Sequence, residues 1–406
     1  MRSKQRERNR RDVSYHPGVE DVGVYVHVPF CERVCPYCDF AVVGVRTLAP
    51  EREARYVDAL LAELGARRAR FTGRRLASLY LGGGTPSLLT PESVDRIRVA
   101  VFGAFQPDAP EVTLEMNPGT VERERLPGFH AAGVNRLCVG VQSFTDATLK
   151  RLGRAHGAEE ARKTLAVACG TGFAALSIDL IFAAPGQRVA STVRDLAEAL
   201  AFAPDHVSAY ELTVEAGTPF ALADERSQLD RADEAEVVEM MGAVEERLAA
   251  AGLARYEISN YARPGREAVH NRRYWERRPV LGLGVAAVSS DPPDSDAPHG
   301  RRRSNPRDLE TWQTAALGGS LDAVADVESL APAVARGEAA FLALRTAAGL
   351  DAGRFAAEFG APPRGFWGPA IAELADRGLL AESGAGDLQL TPAGRRLADA
   401  IFQYFV

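Results

Sequence analysis

Six short β-branched runs, each followed by a helix-length stretch, constrain this chain more than anything else in it. VGVYVHV (22–28), ASLYLGG (77–83), EVTLEMN (111–117), RLCVGVQS (136–143), ALSIDLIF (175–182) and HVSAYELTV (206–214) read as strands. Amphipathic segments at 51–69, 91–104, 120–132, 157–170 and 188–202 separate them. Near-continuous apolar strands alternating with helices require a parallel sheet covered by helices. An open doubly wound sheet and a barrel both satisfy that rule. The polar segments CERVC, GGGTP, EMNP, QSF and DLI fall at or just past the C-terminal ends of successive strands, which is the rim where barrels gather their chemistry. Six repeats rather than eight predict a partial (β/α)6 TIM-like barrel, an α/β fold.

Beyond the repeats, a long helix at 232–251 leads into RYEISNYARPG, a further strand and turn. Residues 290–308, SDPPDSDAPHGRRRSNPRD, are polar and Pro-rich and read as loop. The end of the chain is helical, with a hairpin carrying GAGD at its tip before a closing helix. This predicts a basic disordered tail over 1–20, a core over 21–290, a linker and connecting helix over 291–327, and a helical, winged-helix-like domain over 328–406.

The function classes narrow next. No apolar run approaches the ~18 residues of a membrane span, and MRSKQRERNRRD at the start has no apolar h-region for a secretory signal. A net charge of −6 and a modestly basic winged unit argue against nucleic acid as a partner. The expected location is the cytoplasm, with peripheral contact at a membrane surface left open. Of the five cysteines, Cys138 and Cys169 lie in apolar strand-like and helix-like patterns and read as buried packing thiols.

Cys31, Cys35 and Cys38 are different. They form a CxxxCxxC loop directly after the first strand, in YVHVPFCERVCPYCDF. Three thiols are one short of a closed zinc site. They suit a cubane iron–sulfur cluster in which one iron keeps an open position. Zinc completed by nearby His27 is the competing reading.

The cysteine loop after one strand and GGGTP after the next resemble the radical S-adenosylmethionine (SAM) superfamily. The longer run is similar to the oxygen-independent coproporphyrinogen III oxidase family and, closest, to the HemW-type haem chaperones, from about residue 22 to the end of the chain. The resemblance implies a [4Fe-4S] cluster on Cys31, Cys35 and Cys38, with SAM on the open iron through its amine and carboxylate. It also implies that an electron from the reduced cluster can cleave the sulfonium. Gly83, Gly84 and Thr85 match contacts to the methionine end of SAM, and Glu115 a carboxylate for ribose hydroxyls or the amine. Gln142, Arg154 and Asp179 match further contacts, Arg154 as a partner for the SAM carboxylate. Tyr25, Tyr37 and Phe40 are expected around the cluster loop and adenine.

Two features separate the relatives. The oxidases carry another cysteine where this chain has Phe40, and an N-terminal extension longer than this basic tail. HNRRYW (270–275) resembles the HNxxYW segment that HemW-type proteins carry, making His270 the candidate ligand for haem as cargo, with Tyr274 and Trp275 packing on it. Such chains commonly continue LGLGxGAHS, whereas this one reads LGLGVAAVSS without the histidine. The expected function is a HemW-type chaperone that delivers haem to acceptor proteins, with an electron donor for the cluster and a homodimer left open. Coproporphyrinogen decarboxylation is the alternative, and a nucleic-acid role through the tail and wing a weaker third.

Overall fold

The computed structural model describes residues 20–406, so the basic tail expected over 1–20 lies outside the described residues except for Glu20. The six expected strands form: β1 (Asp21–Val28), β2 (Arg75–Gly83), β3 (Pro107–Met116), β4 (Arg136–Gln142), β5 (Ala175–Phe182) and β6 (His206–Glu211). They pair in sequence order, all parallel. The connecting helices α1 (Pro50–Arg67), α2 (Pro91–Ala104), α3 (Thr120–Ala131), α4 (Ala158–Thr171) and α5 (Val189–Ala201) supply the crossovers that parallel pairing demands. The sheet is a partial (β/α)6 barrel. Its two edges, Asp326–Ser329 and Ala254–Arg255, do not meet.

Period-two alternation assigns the faces. Val22, Val24, Val26 and Val28 pack outward with Tyr56, Val57, Leu60 and Leu64 of α1 in the main core. The intervening positions of β1 face the barrel lumen, where Tyr25 lies 6.1 Å from the Tyr80 ring. The apolar outer face is what makes the strands read as continuous hydrophobic runs. The lumen is polar, and each of its groups needs a partner because burying an unpaired polar group costs about 1–3 kcal/mol.

A seventh parallel strand, β7 (Val280–Leu283), joins β1 on its free side. The antiparallel pair β8 (Val288–Asp291) and β9 (Arg301–Ser304) extends the sheet from there, followed by Asp326–Ser329. This corrects the reading of 290–308 as loop. Arg301–Ser304 has no β-forming side chains to announce it, yet its pairing is secured by Arg303 to Asp291 at 3.0 Å, both buried. On the other side, Asn260–Ala262 pairs antiparallel with β6, which is the strand expected in RYEISNYARPG. The helix expected over 232–251 is α6 (Glu234–Ala250), started by Asp233, whose carboxylate accepts from Glu236 N. Helix α7 (Val269–Trp275) then places its His270 against the lumen rings of Tyr25 and Tyr80.

Helix α8 (Leu309–Leu317) leads to the C-terminal part, made of α9 (Pro332–Leu344), α10 (Ala352–Phe359), α11 (Pro363–Asp376) and the hairpin Leu380–Glu382 with Leu388–Leu390. Its core, including Leu344, Phe355, Ile371, Leu388 and Phe402, is distinct from that of the barrel. The GAGD segment sits at the hairpin tip as expected, where Gly386 adopts φ +87°. The two parts touch: Ala347 N donates to Tyr256 O at 2.9 Å, and Arg395 pairs with Glu245 at 2.8 Å.

Candidate functional site

The cysteine loop leaves the C-terminal end of β1. The two-residue strand Phe30–Cys31 pairs in parallel with Val43–Gly44, which ties down both ends of the loop. Within it, Cys38 N donates to Cys35 O at 3.1 Å. Cys31 is buried, and Cys35 and Cys38 are half-buried. Burial pushes the Cys31 thiol up to about 11 and also raises Cys38. Among the described residues no three acidic, Cys or His side chains converge on one metal ion. His27, the expected fourth ligand of a zinc site, is fully engaged: Nε2 reaches Ala41 O at 3.0 Å and Nδ1 the Tyr25 hydroxyl at 3.1 Å.

The GGGTP turn is held against the start of this loop. Gly84 N donates to Val28 O and Thr85 N to Phe30 O, each at 2.8 Å. Gly83 adopts φ +103°, the left-handed region that favours glycine. A Cβ on Gly84 would meet Val28 O and Phe30 O at 2.8 Å and Cys31 Sγ at 3.0 Å. Only bare backbone fits between the turn and the thiol. Thr85 Oγ1 donates to Cys31 Sγ at 3.6 Å and accepts from Asn117 Nδ2 at 2.8 Å.

Arg154, in the loop after the short helix Asp146–Arg151, binds the rim together. Its Nη2 donates to Gly140 O at 3.0 Å and to Asn117 Oδ1. Its Nη1 donates to Cys35 Sγ and the Tyr37 hydroxyl, both at 3.4 Å. The guanidinium therefore links the cysteine loop to the ends of β3 and β4. Its Nε is buried without a partner, as is Oε1 of Gln142, a residue at φ +66°. Buried polar groups are rarely left orphaned. Two such atoms at one rim mark where a polar ligand fits.

Glu115 lies on the lumen side of the rim. It accepts from the Tyr80 hydroxyl at 2.6 Å and from Gly83 N at 3.1 Å. Burial raises its carboxyl to about 7, while the Tyr80 hydrogen bond pulls it down. Asp179 faces Cys138, whose thiol donates to its carboxylate at 3.1 Å, and burial raises it too. The three cysteines, the glycine turn, Thr85, Arg154 and Tyr37 are thus linked in one contact network, and Glu115 touches it through Gly83.

Other expected residues are placed differently. Tyr25 lies in the lumen, reaching the loop only through His27. Phe40 is 59% exposed and covers nothing in this arrangement. Cys138 is buried as expected but faces a carboxylate rather than apolar side chains. His270, the candidate haem ligand, lies away from the cysteine loop, against the lumen rings of Tyr25 and Tyr80. It is 1% exposed, with Nδ1 at 2.9 Å from the Ser78 hydroxyl and Nε2 at 3.1 Å from the Tyr274 hydroxyl. Both of its partners are hydroxyls. Burial lowers its pKa to about 3, so it stays neutral. Asn117 and Tyr80 were missed. Asn117 stands inside EMNP, where an amide at a strand's C-terminal end was the available signal; Tyr80 offered none.

A family model described as the radical SAM superfamily matches residues 25–200, and one described as the HemN C-terminal domain matches 330–397. The heme chaperone HemW of Escherichia coli (strain K12) is 37% identical over 267 residues, covering 66% of this chain and 69% of that protein. HemW of Mycobacterium tuberculosis is 36% identical over 95% of this chain and 94% of its own length. HemW of Bacillus subtilis is 30% identical over 94% and 98%. Among solved structures, coproporphyrinogen III oxidase (HemN) from Escherichia coli superposes with a TM-score of 0.80 over 97% of this chain and 92% of that one, at 24% identity, a likeness of fold.

Proposed function

The chain belongs to the radical SAM superfamily, in the family of HemW and the oxygen-independent coproporphyrinogen III oxidases, and on that premise we propose that it is a haem chaperone of the HemW type. The observation that carries this reading is the likeness to named haem chaperones along nearly the whole chain. Phe40 adds to it: the position where the oxidases carry a further cysteine is an exposed ring with no thiol.

The rim fits a cluster and SAM by its own features, namely the orphaned Gln142 Oε1 and Arg154 Nε and a glycine turn that admits no Cβ beside Cys31. Cys31, Cys35 and Cys38 would hold the cluster. Gly83, Gly84 and Thr85 would receive the methionine end of SAM, Glu115 its amine or ribose hydroxyls, and Arg154 its carboxylate, with Gln142, Asp179, Tyr25 and Tyr37 lining the remainder. When bound, the pair supplies one-electron chemistry, the cofactors' own contribution. The chain's part is to orient. Arg154 fixes the cysteine loop to the ends of two strands, and the Tyr80–Glu115 pair holds a carboxylate at the rim.

In this reading the cluster and SAM serve a structural or regulatory part. Haem is cargo passed to acceptor proteins in the cytoplasm, at the membrane surface. No helix among the described residues is long and apolar enough to cross a membrane, so that contact would be peripheral. Anaerobic reconstitution followed by haem titration tests the proposal. Stoichiometric haem uptake, transfer to an apo-haem protein and no consumption of coproporphyrinogen are expected. Turnover of coproporphyrinogen with SAM would replace the chaperone reading with the enzymatic one.

A further inference from the structure

Helix α7 carries HNRRYW, and each of its ends is held by a residue distant in sequence. At the start, Ala268 N donates to the Tyr256 hydroxyl at 3.4 Å, and the same hydroxyl lies 2.8 Å from His206 Nε2 at the head of β6. At the end, Arg345 lies over the face of the Trp275 indole, Cζ 4.7 Å from the ring centroid. Arg345 belongs to the C-terminal part, one residue past α9. Resting on the chaperone reading, with the HNRRYW helix as the segment that takes haem, we propose that Arg345 is a positioning residue for Trp275. The C-terminal part thereby sets the indole at the haem site.

The indole has no hydrogen bond of its own to hold it. Trp275 is half-buried, and its Nε1 is buried without a partner. The guanidinium, a cation drawn to the negative face of the ring, therefore fixes its plane. Arg345 is anchored in turn. Its Nη2 lies 3.5 Å from Oε2 of the buried Glu257, while its Nε makes no hydrogen bond. The ion pair and the ring are thus what hold the guanidinium. Glu257 is a firm post, because its Oε1 accepts from Ser259 N at 2.9 Å and from Asn260 Nδ2 at 2.5 Å.

The two clamps on α7 meet at one backbone junction. Glu257 forms an isolated antiparallel bridge with Thr346, and Ala347 N donates to Tyr256 O at 2.9 Å. Tyr256 and Arg345 thus flank the same short pairing, one from the barrel part and one from the C-terminal part. Undocking the C-terminal part would take Arg345 off Trp275 and leave Tyr256 on Ala268. His270 keeps its bonds to Ser78 and Tyr274 in either case, so the arginine acts on haem through the tryptophan ring and not through the candidate ligand.

The test labels the full reconstituted chain with 5-fluorotryptophan and reads its three tryptophans, Trp275, Trp312 and Trp367, by fluorine NMR. Haem titration followed by absorption runs beside it. Trp275→Phe assigns the line. Arg345→Ala, and Arg345→Met, which keeps the stem without the charge, should move the Trp275 line and leave the Trp312 line in place. Both should weaken haem by about fivefold or more and shift its absorption spectrum. Arg345→Lys returns a cation to the ring and should recover most of the affinity and the spectrum. Iron per chain should match wild type in all three. An unmoved Trp275 line in Arg345→Met, or wild-type haem affinity and spectrum despite a moved line, overturns the positioning role and leaves the chaperone reading intact. Loss of all three lines and of iron in Arg345→Met and Arg345→Lys alike makes the arginine a brace of the fold and overturns it too. Failure of wild type to take up haem overturns both.

Discussion

The Tyr80 hydroxyl donates a 2.6 Å hydrogen bond to Glu115 Oε1, and the carboxylate accepts Gly83 N on its other oxygen. Burial nevertheless lifts this carboxyl to about 7. It therefore holds its proton more tightly folded than unfolded. The stability this contributes is full below the unfolded value near 4.5 and is lost as pH rises through about 7. Ligand binding has the opposite sense, because SAM carries a cationic amine and sulfonium that favour the ionised form. The dissociation constant for SAM should fall as pH rises between about 6 and 8. Glu115→Gln should flatten that profile. Tyr80→Phe, which removes a bond holding the carboxyl down, should move its midpoint upward. A profile identical in all three proteins, measured by calorimetry, would remove Glu115 from the SAM site.

Gly84 is confined by three atoms, Val28 O, Phe30 O and Cys31 Sγ, all within 3.0 Å of where a Cβ would stand. Gly84→Ala must push the turn off the cysteine loop, at a cost of about 1–3 kcal/mol for overpacking. Reconstituted iron per chain should drop well below wild type, whereas Gly103→Ala, in open space on α2, should leave it unchanged. Equal iron in the two variants would show that the turn does not shape the cluster site.

Arg154 serves four acceptors: Asn117, Gly140, Cys35 and Tyr37. A lysine ammonium cannot span them from one planar group. Arg154→Lys should weaken SAM about tenfold or more, the scale of one lost charged hydrogen bond, and slow cluster assembly. Wild-type SAM affinity in this variant would make the arginine a loop brace alone.

His270 is a buried neutral imidazole bonded to Ser78 and Tyr274. Its pKa, lowered from 6.5 to about 3 by burial and by Arg273, means that the unfolded chain takes up the proton first. The stability it supports is present above about 6.5 and lost as pH falls toward 3, near 1.4 kcal/mol per pH unit. Acidification from pH 7 to about 5 should cost on the order of 2 kcal/mol through this group. His270→Gln should melt lower at neutral pH but show a shallower acid slope. Equal slopes in denaturant titrations would contradict the buried neutral state.

The outer face of the barrel was legible because parallel strands must be apolar toward their helices, and Val22 to Val28 state that directly. The rim was legible because glycines, cysteines and an arginine stood at strand ends in order. The pairings across the lumen were not. Ser78 and His270 are 192 residues apart, and Cys138 meets Asp179 only through the β4–β5 register. Local pattern carries no signal for such contacts. The strand Arg301–Ser304 escaped for a related reason: its stability comes from Asp291 and Glu328 on neighbouring strands rather than from its own side chains.

Glu63 shows how the outer helices are locked to the added strands. It is completely buried on α1, pairs with Arg67 at 2.8 Å, and accepts from Gly284 N, Asn305 Nδ2 and Trp312 Nε1. Burial pushes its carboxyl up, and Arg67 and these donors pull it back. One carboxylate thus ties α1 to the end of β7, the residue after β9 and helix α8. Glu63→Ala leaves Arg67 charged and three donors unpaired, and should cost about 3–5 kcal/mol. Glu63→Gln keeps two acceptor lone pairs and should lose less. Both variants should shift the urea midpoint. The arrangement also predicts that the loss reaches beyond α1: amide exchange should accelerate in β8 and β9. Exchange confined to α1 would show that the carboxylate braces its own helix only.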